Sequence, residues 1–344
     1  MREAMEYRTL GHSGCTVSVV ALGTMTFGAE SSEEVSRAQL DRFIEVGGNL
    51  IDTADVYAGG ASEEIIGRWL RRQDAVVRDQ VVLATKGRFA TGPGPNDVGL
   101  SRQHLSAALD ASLRRLGVDH VDLYQVHAFD PLTPLEETLQ FLDDAVHAGK
   151  VHYIGLSNFT GWQTQRAVAI AERRSWTPPV ALQPQYNLLA REIEWEIVPA
   201  AIANGLGLLP WSPLGGGWLT GKYTRTERPT GSTRLGENPE RGVEAYDRRS
   251  RTERTWDVID AVERVATARG ASMAQVALAW LVDRPGISSV ILGARTVEQL
   301  EENLGAVGLH LTAEETRILE EASDPEAADY PYGGAGTEQR SRAL

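Results

Sequence analysis

The sequence is poor in cysteine, which limits both its covalent and its metal chemistry. Cys15 is the only cysteine among 344 residues, so we expect neither an internal disulfide nor a cysteine-based metal cluster. The opening stretch MREAMEYRTLGHSG lacks the apolar segment of a secretory signal peptide. No run approaches the roughly 18 consecutive apolar residues of a membrane-spanning helix. A cytoplasmic protein is therefore expected.

Basic residues are also in the minority. The chain has 34 Lys and Arg against 47 Asp and Glu, and its formal net charge is −13. A nucleic-acid groove would need a basic face or stripe. Together with the lack of a long apolar run, this excludes nucleic acid and membrane as expected partners and favours a small molecule. The sequence leaves open whether copies of the chain form a homo-oligomer.

Three familiar motifs are missing or incomplete. No G-x-G-x-x-G pattern opens a helix after a strand, which excludes a Rossmann dehydrogenase. The stretch GGWLTGKY (216–223) resembles a phosphate-binding loop, but Tyr223 stands where Ser or Thr would hold magnesium. We interpret it as a glycine-rich lid segment. The seven histidines are scattered, with no pair at ligand spacing on a predicted strand end, so we expect no metal-dependent hydrolase and no bound metal.

Short apolar runs alternate with segments of helical periodicity along the chain. Strands separated by helices indicate parallel βαβ units, and eight such units favour a closed (β/α)8 TIM barrel over an open sheet. The predicted strands are residues 18–23, 49–52, 80–86, 121–127, 151–157, 180–185, 206–211 and 288–292. The predicted helices are residues 33–46, 62–73, 101–116, 134–148, 161–174, 192–204, 252–284 and 297–304.

We expect one α/β barrel domain over residues 1–344, with three departures from the βα rhythm. A β-hairpin around His12-Ser13-Gly14 precedes the first barrel strand. Residues 215–250 are rich in Gly, Arg and Pro and predict a long loop after the seventh strand, of a length typical of lids or mobile segments. Residues 325–344 form a C-terminal tail.

Polar residues follow seven of the eight predicted strands. In a (β/α)8 barrel the carboxyl ends of the strands and the loops that follow them form the working face. Side chains from seven strands would therefore converge on one mouth, which predicts a bound polar ligand. They are Asp52, Lys86, His127, Ser157, Asn158, Gln183, Gln185, Trp211, Ser212 and the turn Gly293-Ala294-Arg295.

Four of these side chains and loop residues suggest proton chemistry. A lysine after the apolar run VVLAT needs a partner, and Asp52 on the neighbouring strand supplies a counter-charge for Lys86. Tyr57 can fold back over the pair, where an ammonium favours the phenolate and makes the phenol a better proton donor. His127 can hydrogen-bond the same substrate oxygen. Each residue alone has a structural interpretation, but four on three adjacent strands favour a site; Asp55 is interpreted as structural or loop-ordering.

The order of these motifs resembles the aldo-keto reductase family over nearly the whole chain. GKVHYIGLSNF (149–159) is similar to a further family signature, and ILGARTVEQLEEN (291–303) to the segment that binds adenosine. The family pattern of Asp, Tyr, Ser-Glu, Lys and His falls on Asp52, Tyr57, Ser62-Glu63, Lys86 and His127.

The resemblance implies a barrel that binds NADPH and reduces aldehydes or ketones. Tyr57 would be the general acid, with Lys86 and Asp52 setting its acidity. His127 would orient the carbonyl and stabilise the developing alkoxide, while hydride comes from the nicotinamide.

The resemblance also assigns a cofactor to the mouth. Ser157, Asn158 and Gln183 would hold the carboxamide, and Trp211 would stack on the nicotinamide. The residues implied at the pyrophosphate are Ser212, Leu214, Gly216, Gly221 and Lys222, and those implied at the adenosine are Gly293, Arg295, Gln299, Glu302 and Asn303. Many relatives carry a lysine near the 2′-phosphate; here Arg295 can bind phosphate, which favours NADPH over NADH.

The alternative is a nucleotide-binding protein with little turnover. Potassium-channel β subunits share the fold that the resemblance implies and act chiefly as partner subunits or redox sensors. His127 favours turnover, since those relatives commonly lack it. The substrate is not readable, but Phe27, Phe89, Phe129 and Trp218 favour an apolar or aromatic pocket or else pack the core.

Overall fold

The computed structural model of the chain describes residues 4–231, 234–237, 244–326 and 331–332. Its centre is a sheet of eight parallel strands in the order β10-β3-β4-β5-β6-β7-β8-β9. The two ends of this order meet through a parallel bridge between Leu208 and Ile287. The strands are β3 (Val20–Gly23), β4 (Leu50–Asp52), β5 (Val82–Gly87), β6 (Val121–Val126), β7 (Val151–Ser157), β8 (Ala181–Gln183), β9 (Gly207–Leu208) and β10 (Val290–Gly293).

Helices follow the barrel strands and surround the sheet, so the predicted (β/α)8 barrel is confirmed. The helices are α1 (Glu33–Glu45), α2 (Ala61–Leu70), α3 (Ala75–Gln80), α4 (Arg102–Leu116), α5 (Leu135–His147), α6 (Gly161–Arg174), α7 (Ile197–Ala203), α8 (Arg234–Glu237), α9 (Tyr246–Arg249), α10 (Glu253–Arg269), α11 (Met273–Val282), α12 (Val297–Leu304) and α13 (Ala313–Ser323).

Proline shortens two of the predicted strands. β8 ends at Gln183 instead of residue 185, and Pro184 follows it directly. β9 covers only Gly207–Leu208 of the predicted 206–211, with Pro210 shortly beyond. Because proline has no N–H, it cannot donate to the ladder in the middle of a sheet.

One predicted helix, residues 252–284, is wrong. The structure divides it into α10 and α11, which are bent by 100°. Gly270 ends α10 in the left-handed conformation, with φ 63°. Ser272 and Gln275 then form a capping box that begins α11. A glycine followed two residues later by the start of a capping box is a stop and start signal that outweighs continuous helical periodicity.

The predicted helix 192–204 is also interrupted. A short 3-10 turn covers Glu192–Glu194, and α7 begins only at Ile197. A helix over the whole predicted range would place Pro199 in its interior, where proline removes a hydrogen bond. In α7 the same residue lies in the first turn. Helices α3 and α13 were not predicted, although Thr312 and Glu315 carry a capping box before α13.

The predicted N-terminal hairpin is confirmed. β1 (Tyr7–Thr9) pairs antiparallel with β2 (Thr16–Ser18), and the turn contains His12-Ser13-Gly14. Leu10 and Val17 pack against residues near the amino ends of the barrel strands, such as Leu50. The hairpin therefore covers the amino-terminal end of the barrel and leaves the opposite end for ligands.

The long loop after the seventh barrel strand is partly ordered. Its described residues form a 3-10 segment, Gly215–Thr220, and the short helices α8 and α9. Trp218, one of the candidate pocket aromatics, is fully buried and packs against Tyr223, Tyr246 and Trp256. It is a packing residue.

The predicted tail, residues 325–344, falls mostly outside the described residues. Within it, Tyr332 stacks on Trp195 with ring centroids 5.5 Å apart. In the described part of the chain, no single helix combines the length and the hydrophobicity needed to cross a membrane; α10 and α11 do so only as a bent pair.

Candidate active site

A buried ion pair joins two neighbouring strands at the carboxyl end of the barrel. Asp52 is the last residue of β4, and Lys86 lies near the end of β5. The Nζ atom of Lys86 is 2.6 Å from Oδ2 of Asp52 and donates to the carbonyl oxygen of Thr53 at 2.8 Å. The two side chains are 0% and 4% exposed, so each charge depends on the other for compensation.

The ammonium group of Lys86 keeps its proton despite burial. Burial by itself lowers the pKa of this lysine, but the charge of Asp52 and the nearby phenol of Tyr57 raise it. The pKa lies above its ordinary value. Lys86 therefore acts as a fixed positive charge.

The phenol of Tyr57 is turned back over this charge by an unusual loop. Its Oη atom lies 3.4 Å from Nζ of Lys86, which is 5.1 Å from the centre of the ring. Ala58, Gly59 and Gly60 follow with φ of 49°, 64° and 97°. Left-handed conformation at consecutive positions favours glycine, which explains the glycine pair after the tyrosine.

The net pKa shift of Tyr57 is opposite to the direction expected from Lys86 alone. Burial raises the pKa of the phenol, and Lys86 lowers it only in part. The sequence indicated the nearby ammonium but not the extent of desolvation. Tyr57 is therefore a protonated phenol beside a positive charge that would stabilise its phenolate.

His127 supplies a neutral imidazole beside the phenol. The residue directly follows β6, and its ring centre lies 5.9 Å from that of Tyr57 and 4.7 Å from that of Phe89, both edge-on. Its Nδ1 atom is buried with no hydrogen-bond partner among the described residues. Burial and the positive charges of Lys86 and Arg88 lower the pKa of His127 to about 2.

The sequence did not reveal the role of Gln125. Oδ1 of Asp52 accepts hydrogen bonds from Nε2 of Gln125 at 3.2 Å and from Nε2 of Gln183 at 2.9 Å. Gln125 is fully buried, and a Cβ atom at Gly155 on β7 would lie only 3.0 Å from its Cγ. The sequence feature that could have indicated this role is a glutamine inside the apolar strand VDLYQV.

The residues predicted to hold a carboxamide form one connected group. Oγ of Ser157 donates to the carbonyl oxygen of Gln183 at 2.9 Å. Asn158 has φ 55°, and its amide donates to the carbonyl oxygen of His127 at 2.9 Å. Nε1 of Trp211 donates to Oδ1 of Asn158 at 3.1 Å. The indole of Trp211 is partly exposed and is held by its Nε1 edge.

Left-handed backbone also marks the predicted pyrophosphate segment. Ser212, Gly216 and Gly221 have φ of 55°, 65° and 75°, and Leu214 precedes the 3-10 segment. Lys222 is exposed, with Nζ 5.5 Å from the ring centre of Tyr223. Turns of this kind expose backbone N–H groups that suit a phosphate.

A buried carboxylate also lies beside this segment. Glu244 is buried, and its side chain accepts hydrogen bonds from Gln185 and, at 3.2 Å, from Arg249. The contact with Gln185 was not expected from the sequence, because 59 residues separate it from Glu244 along the chain.

The predicted adenosine end lies after β10. The backbone N–H of Arg295 donates to Oε1 of Gln299 at 2.9 Å, and Nη2 of Arg295 is 2.5 Å from Oε2 of Glu237. Asn303 is buried and its amide lies 3.4 Å from the carbonyl oxygen of Gly293. A Cβ atom at Gly293 would meet no other atom. The end of β10 is therefore open, with Gln299 and the similarly exposed Glu302 beside it.

Asp55 is buried, and both carboxylate oxygens have no hydrogen-bond partner among the described residues. Burial and then the charge of Glu63 raise the pKa of Asp55 to about 7. Glu63 itself is paired with Arg115 at 2.6 Å and accepts from Thr85 at 2.6 Å. Asp55 therefore lies near the Glu63–Arg115 pair, in a second group of charged side chains that the sequence did not predict.

The loop after β6 and the start of α6 enclose a cleft. This cleft, of about 320 Å³, is lined by Phe129, Leu132, Trp162 and Arg166 among others. Phe27, in contrast, is fully buried in the core. Phe89 and Phe129 are partly exposed and Trp162 is exposed, so these aromatic side chains are accessible to a ligand.

The sequence matches known proteins over most of the chain. Residues 19–324 match the model of the aldo/keto reductase family. Versiconal hemiacetal acetate reductase of Aspergillus parasiticus is 38% identical, over 94% of this chain and 98% of that protein. A probable voltage-gated potassium channel subunit beta of rice is 38% identical over 88% and 91%, and L-glyceraldehyde 3-phosphate reductase of Escherichia coli is 36% identical over 88% and 88%.

The matched region begins just before β3 and ends just after α13, so it contains every strand and helix of the barrel. The chain belongs to the aldo/keto reductase family of oxidoreductases, whose members generally use NAD(P)H.

Proposed function

We propose that this protein reduces an aldehyde or ketone to an alcohol with NADPH, and that Tyr57 is the general acid. The observation that carries the proposal is the position of the Tyr57 hydroxyl, 3.4 Å from the buried ammonium of Lys86 and beside the neutral ring of His127. A proton donor and a hydrogen-bond donor next to one fixed positive charge suit a carbonyl oxygen that becomes negative.

Each side chain has a separate task in this proposal. Tyr57 donates its proton from Oη to the substrate oxygen. Lys86 stabilises the phenolate that forms, which compensates for the desolvation that raises the pKa of the free phenol. His127 is neutral at working pH and donates a hydrogen bond that orients the carbonyl. Asp52 fixes the position of Nζ through the 2.6 Å ion pair.

The cofactor, when bound, supplies the hydride. The residues at the mouth fit a dinucleotide. Trp211 offers a partly exposed indole, and the left-handed turn at Ser212 and Gly216 offers backbone donors. Gly293 leaves open space at the end of β10, next to the cation of Arg295. These residues would hold the nicotinamide, the pyrophosphate and the adenosine respectively.

Arg295 is the reason for preferring NADPH. A guanidinium binds phosphate through two parallel hydrogen bonds. In the structure Arg295 is paired with Glu237, so a 2′-phosphate would compete with a carboxylate for the same group. Binding of the 2′-phosphate would require Arg295 to leave the carboxylate of Glu237. Glu237 is therefore a determinant of the affinity for NADPH.

The second candidate function is a nucleotide-binding partner subunit with little turnover. Its support is the 38% identity to a protein named as a potassium channel subunit beta. The neutral His127 beside Tyr57 favours turnover instead, because a binding protein has no need of a second donor at the carbonyl oxygen.

Fluorescence titration of the purified protein with NADPH and NADH, followed by assays on a panel of aldehydes and ketones, tests the proposal. We expect tighter binding of NADPH and oxidation of the cofactor that depends on the carbonyl compound. Binding of NADPH without turnover on any member of the panel would favour the partner-subunit alternative. No binding of either nucleotide would refute both functions.

A further inference from the structure

Three side chains of types that can ligate a metal meet at the amino-terminal end of the barrel, away from the candidate active site. His120 directly precedes β6, Asp122 is the second residue of β6, and His152 is the second residue of β7. One ligand atom from each lies within 4.8 Å of the other two. This His120–Asp122–His152 group has no role in the proposed carbonyl reduction.

The register of the sheet brings these residues together. Val121 pairs with Val151 and Leu123 with Tyr153, so Asp122 and His152 lie side by side on adjacent strands. The sequence gives no sign of this, because the two histidines are far apart along the chain and lie at the starting ends of their strands.

The carboxylate of Asp122 is held in place by the backbone. Its Oδ2 atom accepts a hydrogen bond from the N–H of Leu83 at 2.8 Å, and its Oδ1 atom lies 3.2 Å from Nδ1 of His152. The rings of His120 and His152 lie against each other with centroids 4.2 Å apart. Both histidines are exposed and Asp122 is partly buried, so ions in solution can reach the group.

We propose that His120, Asp122 and His152 bind a divalent transition-metal ion of the zinc class. Two imidazole nitrogens and one carboxylate oxygen are a common ligand set for zinc, with bonds of about 2.0–2.2 Å. Nitrogen ligands select zinc, cobalt or nickel over magnesium and calcium, which require oxygen ligands. Small side-chain rotations would bring the three ligand atoms to bonding distance, and the remaining positions would be filled by water.

The ion would bridge two neighbouring strands without touching the reacting atoms. Asp122 lies five residues before His127 on the same extended chain, which is roughly 16 Å at about 3.3 Å per residue. Since the ion binds the folded protein, it would stabilise the fold by mass action. This inference is independent of the proposed reductase function.

The chain contains a matched control for nonspecific histidine binding. His310 is also exposed and also faces carboxylates, with Nδ1 3.3 Å from Asp283 and Nε2 3.6 Å from Glu6. Its two carboxylates contact different ring nitrogens, and among the described residues no second histidine joins them. Converging ligands are therefore lacking at His310, although the residue types and exposure are similar.

Calorimetric titration of the untagged, chelator-treated full chain with zinc chloride tests the proposal. We expect one saturable site per chain, and at least about tenfold weaker binding for His120→Gln and for His152→Gln, since each removes a ligand. His310→Gln and His127→Gln should bind zinc as the wild type does. Cobalt chloride should compete for the site, and magnesium chloride should not.

Thermal unfolding without added metal shows whether each variant is folded before zinc is added. His120→Gln and His152→Gln should match the wild-type midpoint in the absence of zinc, and zinc should raise the midpoint only when the group is intact. The proposal is overturned by the absence of saturable zinc binding, by equal weakening in His310→Gln, or by equally tight binding of magnesium.

Discussion

Nε2 of Gln183 donates a hydrogen bond to Oδ1 of Asp52 at 2.9 Å, on the carboxylate oxygen that does not face Lys86. The other oxygen, Oδ2, faces the ammonium at 2.6 Å. Asp52 is therefore held from both sides, and its orientation fixes where the ammonium lies relative to Tyr57. The candidate site therefore depends on the amide side chains of Gln125 and Gln183 that hold Asp52, as well as on the four proposed catalytic residues.

Gln125→Leu tests the supporting role of the amides. The loss of one hydrogen bond to a charged group costs about 1.5 kcal/mol. If this loss raises the activation free energy by the same amount, kcat should fall roughly tenfold. The dissociation constant for NADPH should change much less than kcat, because Gln125 would act on the cofactor only through Gln183, whose Nε2 donates to Oε1 of Gln125 at 3.2 Å. Gln125→Glu, which adds a like charge beside Asp52, should lower kcat further. An unchanged kcat in both variants would limit Gln125 to packing.

The buried ion pair predicts a strongly non-additive double-mutant cycle. Asp52→Asn and Lys86→Met each leave one buried charge uncompensated, which costs about 3–5 kcal/mol of unfolding free energy. The double variant buries neither charge and should be less destabilised than the sum of the two single variants. Urea unfolding of all four proteins measures this coupling. Simple additivity would show that the two side chains do not compensate each other.

His127 makes the fold sensitive to acid. Its pKa is lowered to about 2 in the folded chain and is about 6.5 in an unfolded one. Stability from the neutral imidazole is thus present above about pH 6.5 and is lost as pH falls below it, by about 2 kcal/mol between pH 6.5 and 5. His127→Gln should lose correspondingly less stability over this range, as measured by denaturant unfolding.

Asp55 predicts the opposite dependence on pH. Its pKa is raised to about 7 from about 3.9 in an unfolded chain, so the neutral carboxyl contributes stability at low pH. That contribution is lost as pH rises from about 4 to 7, by an amount on the order of a few kcal/mol. Asp55→Asn should therefore gain stability relative to the wild type as pH is raised. If Asp55→Asn and the wild type differed in unfolding free energy by the same amount at pH 5 and at pH 8, the assignment of Asp55 as a buried carboxyl group with a raised pKa would be contradicted.

Arg295 and Glu237 together test the cofactor preference. Arg295→Ala should weaken NADPH binding much more than NADH binding, because only NADPH carries the 2′-phosphate. Glu237→Gln removes the competing carboxylate of the ion pair and should tighten NADPH binding with little effect on NADH. Fluorescence titration of the wild type and both variants with each nucleotide measures these affinities. Equal losses for both nucleotides in Arg295→Ala would remove its proposed contact with the phosphate.

The architecture and the main polar residues could be predicted because their signals are local. The alternation of short apolar runs with segments of helical periodicity predicted the barrel. The positions of Asp52, Lys86 and His127 at the ends of predicted strands placed them at one mouth. In a parallel barrel every strand ends on the same face, so position along a strand is enough to predict proximity.

The contacts that were missed depend on register or burial. Glu237 reaches Arg295 from a loop 58 residues away in sequence, and no local pattern links them. His152 meets Asp122 only through the pairing of β6 with β7. The raised pKa of Tyr57 reflects how completely the loop covers the phenol, which the residue types alone do not determine.

The central claim is that the hydroxyl of Tyr57 donates the proton, and single-turnover reduction of an active carbonyl compound by Tyr57→Phe tests it most directly. Tyr124→Phe is the matched control, because this buried hydroxyl has no hydrogen-bond partner among the described residues. We predict that Tyr57→Phe binds NADPH as tightly as the wild type but reduces the substrate roughly 10²–10⁴-fold more slowly, while Tyr124→Phe keeps wild-type rates. A wild-type rate of reduction in Tyr57→Phe would contradict the account.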